Sequence, residues 1–74
     1  MEKKELVRLF SDFWQVSPSE VREDLKIDSQ SLRNYSSIRF YQFIAAVESN
    51  FSVKVSNLSK ILTFRDLLAN ISTK

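Results

Sequence analysis

Glycine is absent from all 74 positions of this chain, and that absence restricts the fold more than any residue that is present. Tight hairpin turns need positive φ at their central positions, which glycine supplies at no steric cost. A hairpin-rich sheet is therefore disfavoured, as are collagen-like and low-complexity arrangements. What remains is a set of helices joined by loops built from Ser, Asn and Asp. Proline occurs once, and cysteine and histidine not at all. Without them there are no disulfides or thiolate metal sites, and no Ser-His or Cys-His nucleophile pair. An enzyme would have to run on carboxylates, lysines and hydroxyls alone, so a non-catalytic role is expected.

With no staple, stability must come from apolar packing. Hydrophobic residues make up 43% of the chain and include six Phe, one Trp and two Tyr. Aromatic side chains bury much area each, which suits so short a chain. A single domain over residues 1–74 is expected, with a stability of roughly 3–5 kcal/mol. Eleven Lys and Arg against nine Asp and Glu give a net charge of +2, and the cations are scattered. No nucleic-acid partner is expected from that. The charged start Met1-Glu2-Lys3-Lys4-Glu5 does not resemble a signal peptide, and no stretch has the length of a membrane span. The expectation is a cytoplasmic monomer.

Residues 2–15 read as an amphipathic helix, with Leu6, Leu9, Phe10, Phe13 and Trp14 at three-and-four spacing. Ser17-Pro18-Ser19-Glu20 has the form of a capping box with proline at the first helical position, opening a short turn that ends near Leu25. Residues 26–35 lose the period. Asp28, Ser29, Gln30, Ser31 and Asn34 are loop formers, and Ile27, Leu32 and Tyr35 are spaced as anchors to the core. A second long helix starts at Ser36 or Ser37 and runs to Asn50, with Ile38, Tyr41, Ile44, Ala45, Val47 and Phe51 as its buried stripe. Residues 51–55 alternate like a strand, but with no evident partner they are read as an extended loop. Residues 56–62 hold a short helical turn carrying Leu58 and Ile61. Thr63 caps a last helix over residues 64–71, with Asp66 in its first turn and Leu67, Leu68 and Ile71 facing inward.

This order of elements resembles the acyl carrier protein family over nearly the whole chain. The resemblance rests on Leu6, Leu9, Phe10, Trp14, Val16 and Glu20-Val21, and on Ser37-Ile38 followed by Ile44, Ala46-Val47-Glu48 and Phe51. The latter looks like the stretch from the carrier serine to the family's Glu-x-x-Phe, without a gap. Lys60-Ile61-Leu62-Thr63-Phe64-Arg65-Asp66 looks like the family's Thr-apolar-x-Asp start of the last helix. A small insertion before Ser37 and a small deletion between Val55 and Lys60 are needed. The resemblance implies an all-α fold: a small bundle of three main helices plus a short helical turn, with a long loop between the first two main helices.

It further implies a carrier that holds acyl or related thioester intermediates on a 4'-phosphopantetheine arm, taken from coenzyme A and attached to Ser37. Ser36 is the runner-up for attachment. Such a domain serves fatty acid, polyketide-like or other specialised secondary-metabolite biosynthesis. Its partners are a phosphopantetheinyl transferase, an acyl-loading ligase or transferase, and ketosynthase-type enzymes. The family's Asp-Ser-Leu is Ser36-Ser37-Ile38 here, and Arg39 and Gln42 stand where acids are usual. From Arg33 to Lys60 the cations are Arg33, Arg39, Lys54 and Lys60, against Glu48 alone. Partner binding is therefore assigned to Arg39, Phe40 and Phe43, with an apolar or acidic partner surface.

Blander readings stand beside these. A serine at a helix start is usually only a cap, and the chain has twelve serines. Arg33 and Arg39 read equally as solvated charges, and Phe40 and Phe43 either fill the core or form an exposed patch. From a different class, the chain reads as a carrier fold without its arm that binds other proteins through Phe40, Phe43 and the loop over residues 26–35.

Overall fold

The computed structural model describes residues 2–73. Helix α1 spans Lys3–Trp14. It buries Leu6, Phe10, Ser11 and Trp14, while Leu9 and Phe13 pack at the margin of the core. A 3₁₀ turn follows at Pro18–Glu20, with proline at its first position. The expected capping box is not formed there: Ser17 bonds sideways to Ser19 at 3.0 Å, and the turn stops at Glu20 rather than near Leu25.

The loop that follows is held at both ends. Asp28 accepts backbone N–H bonds from Gln30 (3.1 Å) and Ser31 (2.9 Å), the local bonding that makes Asp a loop former. Ile27 and Leu32 are buried, as anchors should be. Ile27 N–H donates to the Leu62 carbonyl and Phe64 N–H to the Leu25 carbonyl, each at 2.9 Å, so the loop is bonded to the start of the last helix.

Helix α2 spans Ser37–Phe51 and α3 spans Phe64–Ala69. The buried face of α2 is Phe40, Phe43, Ile44 and Val47. This corrects the expected stripe: Ile38 and Tyr41 are 72% and 58% exposed, and Ala45 is exposed as well. Two apolar stripes compete for the core on this helix, and the one with two phenylalanine rings removes more surface from water. At α3 the Thr63 hydroxyl accepts from Asp66 N–H (3.2 Å) and the Asp66 carboxylate accepts from Thr63 N–H (3.1 Å), a complete capping box.

The all-α expectation is corrected in one respect. The structure is mostly helical, but β1 (Val53–Val55) pairs antiparallel with β2 (Ile71–Thr73), Val55 opposite Ile71. The last helix, expected over residues 64–71, ends at Ala69, and Ile71 begins the partner strand instead. Val53 and Val55 face inward and Lys54 outward. No helix among the described residues is long and apolar enough to cross a membrane.

One core cluster joins these elements. Phe10 of α1 meets Phe43 of α2 at 5.4 Å and Phe64 of α3 at 5.3 Å, both nearly edge to face. Trp14, Leu6, Leu32, Val47 and Leu67 complete its fully buried part. The lack of glycine leaves a local cost elsewhere. Gln15, Ser52 and Asn57 take positive φ of 57°, 53° and 54°, where a side chain crowds the backbone. Ser52 ends α2 in this conformation and is exposed. Ser52→Gly is expected to stabilise the fold by about 0.5–1 kcal/mol, the left-handed penalty less glycine's extra chain entropy. Urea denaturation of the two proteins measures this.

Candidate functional site

The first turn of α2 is set by the loop before it. Leu32 is fully buried, and Tyr35 stacks on Trp14 with ring centroids 5.8 Å apart and planes 23° from parallel. These two anchors bring Ser36 and Ser37 to the surface at the end of the loop. Ser36 is extended (φ −155°, ψ 162°) and its hydroxyl accepts from Arg39 N–H at 3.2 Å. It is the N-cap of α2. Ser37 is the first helical residue and is exposed; its hydroxyl takes no part in the cap. The amides at such a position lack intrahelical partners, and the helix dipole favours negative charge there, by roughly 0.3–1 kcal/mol. A phosphodiester on Ser37 is electrostatically well placed.

Ser37 and Tyr41 are one turn apart and share a helix face, and Ile38 adjoins them. Together they form a hydroxyl beside exposed apolar surface. Phe40 is 8% exposed and Phe43 fully buried, so of the two readings of these rings the core one describes their placement. The large apolar residues that α2 does expose are Ile38 and Tyr41. The signal was present in the sequence: positions 40, 43, 44, 47 and 51 follow the helical stripe with the larger side chains.

Arg39 is not a solvated charge either. Its guanidinium carbon lies 4.8 Å from the Phe13 ring centroid and 5.6 Å from that of Trp14. Its Nη2 donates to the Phe13 carbonyl at 3.0 Å. A cation at the C-terminal turn of α1 is favoured by the dipole and by the ring faces. The contact has a cost, since Arg39 Nε and Trp14 Nε1 are buried without a hydrogen-bond partner. Arg39 thus fastens the start of α2 to the end of α1, which the sequence pattern did not indicate. Arg33 remains exposed. Glu48 accepts from Val55 N–H at 2.9 Å, so the one carboxylate between residues 33 and 60 is spent on the strand.

At the other end of α1, Lys3, Lys4, Val7, Arg8 and Pro18 line an open groove of about 440 Å³. Lys3 reaches Glu23 at 3.3 Å.

Compared with protein-family models, with curated proteins and with solved structures, the chain gives no significant match.

The Arg39 contact gives a direct expectation. Arg39→Ala should destabilise the fold by about 1–2 kcal/mol through loss of the charged hydrogen bond and ring contacts, and shift Trp14 emission to the red. Arg39→Lys should recover only part of this, because an ammonium lacks the planar surface that stacks on the rings. Chemical denaturation followed by tryptophan fluorescence reads both effects.

Proposed function

We propose that this chain is a carrier domain of the acyl carrier protein type, modified with phosphopantetheine on Ser37. The supporting observation is the division of labour at the start of α2: Ser36 serves as the cap and leaves Ser37 exposed at the first helical position. In the modification the Ser37 hydroxyl oxygen attacks the phosphorus that carries pantetheine in coenzyme A. A phosphodiester forms, the pyrophosphate bond breaks, adenosine bisphosphate leaves, and the serine proton passes to a base of the transferase. The thiol of the arm then holds the cargo as a thioester. The domain catalyses none of the later chemistry. Its contribution is to raise the effective concentration of a tethered substrate at partner active sites.

Partners on this reading are the phosphopantetheinyl transferase, a loading ligase or transferase, and a ketosynthase-type enzyme. Their docking surface meets Ile38 and Tyr41 beside a helix whose single carboxylate is already bonded. A complementary surface is apolar, with acidic groups placed to face Arg33. The exposure of Ile38 and Tyr41 equally suits a second reading, in which the domain has no arm and binds a protein through this face.

Intact mass after incubation with coenzyme A, magnesium and a broad-specificity transferase separates the readings. The wild type is expected to gain one phosphopantetheinyl group and Ser37→Ala none. Ser36→Asp keeps a good cap and adds the carboxylate usual in the family, and it is expected to be modified faster than wild type. A wild type that stays unmodified with its cognate transferase as well would establish the interaction module instead. A gain that survives Ser37→Ala but disappears in Ser36→Ala would move the attachment one residue back.

A further inference from the structure

The carrier reading leaves open where a cargo on Ser37 rests, inside the helix bundle or outside it. The interior between the helices is occupied. Phe10, Phe43, Phe64, Val47 and Leu67 are all fully buried, and Phe10 touches the other two rings at 5.3–5.4 Å. Phe43 is also in contact with Phe13 (5.3 Å) and Trp14 (5.8 Å). Phe10 and Phe43 are each held by more than one ring, so neither can turn aside without displacing another. Packed interiors do not take in extra methylene groups without strained rotamers or backbone movement.

The way in from Ser37 on the α1 side is closed as well. Two residues beyond it, Arg39 bonds to the Phe13 carbonyl and lies over Phe13 and Trp14. Two residues before it, Tyr35 stacks on Trp14. The start of α3 is bonded to the loop through Leu25–Phe64 and Ile27–Leu62. An alkyl chain entering between α1 and α2 would have to break one of these contacts, and one entering beside α3 would meet the packed rings themselves.

From this, resting on the carrier reading, we infer that the domain displays its cargo outside the bundle and carries short or polar acyl groups, not long alkyl chains. A long chain left in water would seek apolar surface, and what α2 offers beside Ser37 is Ile38 and Tyr41, both largely exposed themselves. A short or hydroxylated, carboxylated or amino-bearing acyl group has no such need.

The test compares the protein loaded by the transferase with acetyl-coenzyme A and with octanoyl-coenzyme A. Intact mass and Ser37→Ala establish the attachment first. The two loaded forms are expected to melt within about 2 °C of each other and to give the same NMR signals for Val47, Leu67 and the buried phenylalanines. An octanoyl form that melts more than about 4 °C higher, with those core signals moved, overturns the inference while leaving the carrier reading intact. No mass gain on Ser37 overturns the carrier reading and takes this inference with it.

Discussion

Phe10 makes edge-to-face contact with Phe43 and with Phe64 at once, and the rest of the molecule is arranged around that junction. It is where α1, α2 and α3 meet. A chain this short, with no cysteine or histidine, has no crosslink to fall back on. Each such aromatic pair contributes about 0.5–1.5 kcal/mol beyond the burial of its area, a large share of the few kcal/mol a domain of this size retains. The junction also sets the phase of α2. With Phe40 and Phe43 turned inward, Ser37, Ile38 and Tyr41 are left on the outside. The position of the candidate attachment serine is thus a consequence of how the core is packed two turns away.

The arginine beside it belongs to the same arrangement. Arg39 sits over Phe13 and Trp14 and bonds to the end of α1, so a residue that in sequence looks like a surface charge serves to join two helices. Glu48, the one carboxylate of α2, accepts from β1, and the exposed residues of the helix mix Ile38, Tyr41 and Ala45 with Ser37, Gln42, Ser49 and Asn50. On the proposed carrier reading, a partner would meet no acidic face there.

Much of the architecture was readable from residue pattern. The α1 stripe, the anchors Ile27 and Leu32, and the Thr63 cap depend on neighbours in sequence, and they are found as expected; the return bond from Thr63 N–H to Asp66 completes a capping box beyond that. What was missed depends on contacts distant in sequence. The strand at residues 53–55 needed its partner at 71–73, whose first residue, Ile71, also continues the apolar helical spacing of α3. Both Ile38-Tyr41-Ala45 and Phe40-Phe43-Val47 are spaced for burial on α2; the larger rings of the second set favour it, and it is the set that packs against Phe10. Either Ser36 or Ser37 could begin α2 in the sequence, and the hydrogen bond from Arg39 N–H shows that Ser36 is its cap.

The central claim is that Ser37 carries a phosphopantetheine arm. The most direct measurement is the mass and fragmentation spectrum of the peptide containing residues 36 and 37, from protein purified out of its own cells. The account predicts a phosphopantetheinyl group on Ser37 in a substantial fraction of molecules, with Ser36 unmodified. A peptide found entirely unmodified, in cells whose other carrier proteins bear the arm, would contradict it.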